Sequence, residues 1–352
     1  MDRIRLLARR TFLGRNFFWV YAAVAAALLV FAINRPPKDD DPGIPKAITG
    51  TFTGWRTVAP SPEARMETQG ASVNGQLYLL GGYYETTPKY TGTARCDVYN
   101  PATNTWKQIA SMPAVFTHAG VAANSRYIWL AGGYPLRSDG WQNFASNAVY
   151  VYDTVANKWA SAVPLPQPRG AGAMVLVNNT LHFMSGVDFN RNDTTDHWTL
   201  NLAAPKPAWV AAPSLPAPRN HFAAVAAGSL IYVGGGQAGI NDSLPDATLY
   251  IFDTRSNRWS QGASMPKPRS HNSSACFVYG GRVCVAGGET TNGKVLADVI
   301  AYDIPTNKWL ALPSLPSPRH SPLVQVVGSS IIATDGAYPP TLEATTWISV
   351  GQ

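Results

Sequence analysis

Six residues share one offset in a recurring phrase of this chain, two places past an arginine position: Glu67, His118, Ala171, His221, His271 and Ser321. His320 adjoins the last, and Asn220 and Ser270 adjoin two others, so four of the six histidines fall at or beside this offset. Imidazoles gathered around a carboxylate could bind a transition metal, with His118, His221 and His271 as candidate ligands. Equally, Glu67 and these histidines could act as acids and bases on a sugar or other small molecule. Both chemistries require a fold that brings together residues about fifty apart.

The repeat that must do so is legible. Glycine doublets occur at Gly81-Gly82, Gly132-Gly133, Gly235-Gly236 and Gly287-Gly288, with decayed copies at Ser185-Gly186 and Asp335-Gly336. Matching tryptophans stand at Trp55, Trp106, Trp159, Trp209, Trp259 and Trp309, separated by 51, 53, 50, 50 and 50 residues. A period near fifty means an array of like units. In each unit two apolar runs split by a turn read as a hairpin, a third strand ends at an aromatic-Asp pair such as Tyr152-Asp153, and a fourth opens at the Trp. No long helical period occurs after residue 50. Six four-stranded units of this kind predict an all-β propeller.

The doublet joined to a Tyr and a Trp at fixed offsets resembles the kelch repeat family over residues 51–352. This resemblance implies a six-bladed propeller in which Glu67 and its equivalents begin the innermost strands and ring one mouth of the central channel. Histidine at this offset commonly caps the inner strand in kelch repeats, which competes with metal or substrate contact as its role. Residues 343–350 form a third strand lacking a Trp-led fourth, while residues 51–59 are a Trp-led strand lacking partners. The N-terminal strand is therefore expected to complete the last blade, removing an open edge. Arg65, Arg169, Arg219, Arg269 and Arg319 occupy one position, with Phe116 in the sixth unit. They are expected to bridge blade carbonyls, since a guanidinium satisfies several fixed acceptors.

The segment from Gly287 to Ile300 is also similar to the last blade of bacterial kelch sialic acid mutarotases. That similarity implies Glu289 as a candidate acid-base residue, with Arg269 or Arg219 as a carboxylate partner. A kelch-type copper radical oxidase is not expected, because its ligand domain would follow Gln352.

Recognition is expected on the loops joining second and third strands, which vary most. They carry Tyr83, Tyr84 and Tyr90 in unit one, and Tyr134, Arg137, Asp139, Trp141 and Phe144 in unit two. Unit three carries Asp188, Phe189, Arg191, Asp193, Asp196 and His197, whose acidic spacing matches no calcium loop. Aromatics interleaved with polar groups suit a protein hot spot or a sugar ring. The ligand-binding candidates are thus His118, Asn220, His221, His271, His320, Tyr84, Trp141 and Phe189.

Residues 1–50 differ in kind. Residues 17–33 are uncharged and largely apolar, preceded by Arg3, Arg5, Arg9, Arg10 and Arg15, and followed by a Pro- and Asp-rich spacer over 34–50. The expected organisation is a basic cytoplasmic lead over 1–16, a transmembrane signal anchor over 17–33, and a propeller on the lumenal, extracellular or periplasmic side. A cleaved secretory signal, or a twin-arginine signal at Arg9-Arg10, are the competing readings. Sequons at Asn178, Asn192, Asn241 and Asn272 fit a glycoprotein. Cys276 and Cys284 lie on two arms of one predicted hairpin, which allows either a cross-strand bridge or two buried thiols.

The net charge is +7, but the lead holds five of 28 basic residues and one of 21 acidic ones, leaving 23 minus 20, or +3, beyond it. No Lys/Arg run marks a nucleic-acid surface on the repeats. Nucleophile elbow, phosphate loop and dinucleotide fingerprint are lacking. The sequence supports a membrane-anchored recognition module for a protein or glycan, requiring no cofactor; the alternative is an enzyme at the channel mouth, an isomerase, mutarotase or metal-dependent oxidoreductase.

Overall fold

The structure, a computed structural model, describes residues 52–351 apart from residues 88, 138–140 and 240–243. The expected lead, anchor and spacer lie outside the described residues, as do Asp139 and Asn241. Among the described residues no helix is long and apolar enough to cross a membrane.

Six four-stranded antiparallel sheets form the blades. Blade one comprises Gln69–Val73, Gln76–Leu80, Cys96–Asn100 and Thr105–Ile109 from the inside outward. Blades two to five repeat this order over residues 120–161, 173–211, 223–262 and 276–312. In blade six Leu323–Val327, Ser330–Thr334 and Thr346–Val350 are completed by Gly54–Val58. The closing strand pairs Trp55 with Ser349 and Thr57 with Trp347, as the strand count predicts.

Burial follows from stacking. Second strands are covered on both faces, so Leu77, Tyr78, Leu79 and Leu80 are all buried, whereas the outer strand Thr105–Ile109 is largely exposed. The apolar clusters accordingly lie between neighbouring blades, as where Phe277 and Ala301 of blade five meet Val324 and Ile331 of blade six. Innermost strands are narrow at their centre, and Gly70, Ala122, Gly172, Ala224 and Ser274 line an axial cavity of about 260 Å³.

The repeated tryptophan joins each blade to the one before. Its ring packs on the opposite aromatic, at 5.0 Å for Tyr99 and Trp106 and 4.9 Å for Phe252 and Trp259. Its indole N–H donates to a carbonyl of the preceding blade in all six units: Trp55 to Pro313, Trp106 to Ala59, Trp159 to Ala110, Trp209 to Val163, Trp259 to Pro213 and Trp309 to Ala263, at 2.8–3.1 Å. An asparagine two residues before the Trp adds a second stitch. Asn104 Oδ1 accepts from the Tyr99 hydroxyl and from the Ala59 amide, both at 2.8 Å, and Asn157 and Asn307 repeat the device.

The first doublet glycine has its own constraint. At Gly132, φ is +67° and a Cβ would stand 2.5 Å from the Arg169 carbonyl oxygen of the next blade. In the decayed copy Ser185 adopts φ 55° and places its hydroxyl 2.8 Å from the equivalent carbonyl, that of Arg219.

Arg65, Arg219 and Arg269 bond blade carbonyls as expected, whereas Arg169 and Arg319 bond the carbonyl of the preceding proline and the carboxylates of Asp196 and Glu343. Arg219 donates to the Gly235 carbonyl at 2.8 Å and to Asp246 at 3.3 Å, and Arg269 holds both oxygens of Asp298 at 3.0–3.1 Å. These bonds replace the carboxylate-partner role implied for Arg219 and Arg269, because each guanidinium is buried within its own blade. The cross-strand disulfide is also corrected. Cys276 pairs with Val285 and Cys284 with Phe277, so the two thiols project from opposite faces of the sheet and remain free. Asn272 is fully buried and so cannot carry a glycan.

Replacing Arg269 by Leu leaves Asp298 buried without its partner. Urea unfolding is expected to show a loss of about 3–5 kcal/mol, and a loss below about 1 kcal/mol would contradict a structural role.

Candidate functional site

Glu67, His118, Ala171, His221, His271 and Ser321 all adopt positive φ, between 50° and 56°. A left-handed non-glycine residue costs on the order of 1–3 kcal/mol, so six in register need a common cause. A hydrogen-bonded chain around the axis links five of them: Ala171 N–H donates to the His118 carbonyl, His221 to Ala171, His271 to His221 and Ser321 to His271, at 2.9–3.1 Å. This capping function of the inner strand is carried by the backbone, since Ala171 performs it without a polar side chain. The turn therefore does not depend on an imidazole at this offset.

Those side chains converge. Ring centroids lie 4.8 Å apart for His118 and His221, 4.4 Å for His221 and His271, and 4.3 Å for His271 and His320. Glu67 presents one oxygen 3.4 Å from His118 Nε2 and the other 3.9 Å from His271 Nε2, while the Ser321 hydroxyl donates to it at 2.5 Å. Glu289 contacts His271 Nδ1 at 2.9 Å and His320 Nε2 at 3.6 Å. His118 Nδ1 meets the Thr117 hydroxyl at 2.8 Å, and His221 Nδ1 meets the Asn220 side chain. Asn220 in turn donates to Asp193, which also accepts the Gly239 amide.

Burial dominates the electrostatics. It drives His118 down to about 4 and His221 well below its usual range, so both imidazoles are neutral at pH 7. For Glu67 burial opposes ionisation, and His118, His271, His320 and the Ser321 hydroxyl more than offset it, leaving the carboxyl below its usual range. Glu289, also penalised by burial, is lowered to about 2 by His271 and His320.

Above this ring sits an aromatic layer. Tyr134 stacks on His118 at 4.2 Å, Tyr83 lies edge-on to it at 5.8 Å, and Phe144 packs on Tyr134 with Arg191 over its ring at 4.5 Å. Bridges Met66 to Tyr83 and Ser270 to Glu289 show that the ring and the loops joining second and third strands share one face. Tyr84, Tyr90, Trp141, Phe189 and Leu244 on these loops are 43–74% exposed.

The structure thus divides the sequence candidates. Glu67, His118, His221, His271, His320 and Glu289 come together with Asn220 beside them, whereas Tyr84, Trp141 and Phe189 form an outer rim. The polar set of unit three disperses: Asp188 caps its own turn through the Asn190 and Asn192 amides, Asp196 binds Arg169, and His197 is buried. Sequence reasoning passed over Thr117 and His182. The only signal for Thr117 is a polar residue preceding the offset, as at Asn220 and Ser270; His182 carries none.

Comparison with known proteins agrees with this architecture. Residues 118–336 match the family model described as KLHDC2/KLHL20/DRC7 Kelch-repeats domain, and residues 64–113 match the Kelch motif. The chain is 31% identical over 128 residues to Kelch-like protein terF of Aspergillus terreus, covering 36% of this chain and 28% of that protein. It is 25% identical over 141 residues to Beta-scruin of Limulus polyphemus, covering 40% of this chain and 15% of that one. The chain therefore spans less than a third of the length of these relatives. The solved structure of YjhT superposes with a TM-score of 0.64 at 14% identity, over 75% of this chain and 88% of that one, a likeness of fold alone.

His182 Nδ1 lies 2.9 Å from His197 Nε2, whose Nδ1 lies 3.1 Å from the Pro213 carbonyl, and burial lowers both histidines to about 4. With His118 they bind protons in the unfolded chain below about pH 6.5 but not in the fold until near pH 4, and burial lowers His221 in the same direction, so stability falls as pH drops through that window. Asp335, raised to about 7 by burial, acts in the opposite sense and is outnumbered. Denaturant unfolding at pH 5 is expected to give at least about 1 kcal/mol less stability than at pH 7. The His182→Leu/His197→Leu variant should reduce that slope, and an unchanged slope would contradict neutral buried imidazoles.

Proposed function

From the premise that the chain belongs to the kelch-repeat family, a propeller fold typical of protein-binding modules, we propose that it is a membrane-anchored recognition module gripping a protein or glycan through its loop face. One observation carries the reading. Of the seven large hydrophobic residues exposed among the described residues, five, Tyr84, Tyr90, Trp141, Phe189 and Leu244, lie on loops joining second and third strands. Single exposed apolar residues are ordinary, but concentration of aromatics on one rim is the composition of a binding hot spot. Tyr83, Tyr134 and Phe144 beneath them hold the loops down on the ring. Acid-base catalysis at the mouth ranks lower, because Glu67, His118, His221 and His271 are each at most 9% exposed and engaged with one another.

The triple variant Tyr84→Ala/Trp141→Ala/Phe189→Ala tests the face. Crosslinking in the native cell followed by affinity capture is expected to lose the wild-type partner set by tenfold or more, since a hot-spot aromatic contributes about 2 kcal/mol or more. The thermal midpoint should not move. Retention of the same partners by the variant would sink the reading.

Tethering rests on residues 17–33, apolar and flanked by five arginines on one side and Asp39, Asp40 and Asp41 on the other. A type II anchor places the propeller on the lumenal, extracellular or periplasmic side. The full chain is then expected in the membrane pellet after alkaline extraction, with the propeller shielded from protease on the cytoplasmic side. Release into the soluble fraction at full length would overturn the anchor.

A further inference from the structure

The ring has a feature that neither capping nor ligand capture uses. Three of its histidines are held by a polar side chain immediately before them in sequence: His118 Nδ1 by the Thr117 hydroxyl at 2.8 Å, His221 Nδ1 by the Asn220 side chain, and His271 Nδ1 by the Ser270 hydroxyl at 3.1 Å. Asn220 supplies a carbonyl oxygen, which accepts only, so His221 carries its proton on Nδ1 and leaves the Nε2 lone pair unprotonated. Tying Nδ1 to an outer acceptor is how proteins fix the tautomer and orientation of a metal-ligating imidazole. The Nε2 atoms of His118 and His271 point to Glu67, whose carboxylate is itself anchored by Ser321.

We propose that Glu67, His118 and His221 form a binding site for a first-row divalent transition ion such as Zn2+. Their ligand atoms lie within 4.8 Å of one another, and His118 Nε2 is already 3.4 Å from Glu67 Oε2. Ligands about 2.0–2.2 Å from a tetrahedral zinc ion stand roughly 3.4 Å apart, so closure needs shifts of about 1.5 Å or less. Two imidazoles and one carboxylate suit zinc and its neighbours rather than calcium or magnesium, which prefer all-oxygen shells. His271 Nε2, on the other oxygen of Glu67, stands next in line for the fourth position. Glu67, His271 and His320 form a second grouping of the same spacing, but there both histidines also contact Glu289, which makes the first triad the less encumbered one. Ala171 and Ser321 contribute small side chains to the remaining ring positions.

The test is titration of the purified full chain, stripped with chelator, with Co2+ followed by its visible absorption and with Zn2+ by calorimetry. One equivalent per chain is expected, with a rise in thermal midpoint, since an ion that binds only the folded state stabilises it. His118→Ala and His221→Ala should each weaken uptake by more than about 100-fold, beyond the loss from an outer-sphere change, while Thr117→Val should weaken it about tenfold. Glu67→Gln preserves size and the Ser321 contact, and keeps the test valid if an alanine variant fails to fold. The proposal is overturned by the absence of saturable uptake, by uptake that survives His118→Ala in a folded variant, or by loss in His320→Ala alone.

Discussion

The tryptophan indole bonded to the carbonyl of the preceding blade is the constraint on which the molecule depends. A four-stranded sheet of about twenty residues cannot bury its own faces, so each blade gains a core only where a neighbour is held against it. The indole fixes that neighbour at one height and one angle, because an N–H with a single acceptor has one useful geometry. With six such bonds, Trp55 reaching Pro313 closes the ring, and residues fifty apart in sequence come to equal depth along the axis. Convergence of His118, His221 and His271 follows from this spacing and from no local property of their segments.

Much of this was legible in the letters because the stitch is made by rare residue types. Tryptophan at intervals of 50 to 53 has no competing explanation, and the glycine doublet marks a backbone pressed against the next blade. The closing strand could be read from an imbalance, one Trp-led strand without partners and one blade without a fourth strand. The asparagine of NTW, NKW and NRW was printed as plainly but carried no obvious role, since Asn is ordinary in turns. Its function emerges only when Asn104 Oδ1 is seen to serve a hydroxyl on its own blade and an amide on the neighbour.

The site was less legible, for a physical reason. Sequence offset gives the ring position of a Cα but not whether a side chain lies inward or packs outward. Tyr83 and Tyr84 are adjacent and look alike; one is buried on His118 and the other is 43% exposed. Strand alternation sends neighbouring side chains to opposite faces, and which one is inward depends on the register of Tyr83 against Gly92, with its bulge. His197 illustrates the same difficulty. It read as a loop residue, yet it opens the third strand of blade three and is paired with His182 in the core.

The left-handed backbone at the ring separates what the scaffold needs from what the side chains can be used for. Because Ala171 and Ser321 adopt the same φ and the same backbone bonds as the histidines, the imidazoles contribute nothing that the turn requires. Burying a histidine neutral costs stability at every pH below its unfolded pKa, as the lowered values of His118 and His221 express. Ala171 meets the backbone requirement with none of that cost. Four imidazoles are drawn together around two carboxylates in a ring whose backbone geometry Ala171 and Ser321 share, so the residue type at these positions is set by what the side chains contact and not by the turn.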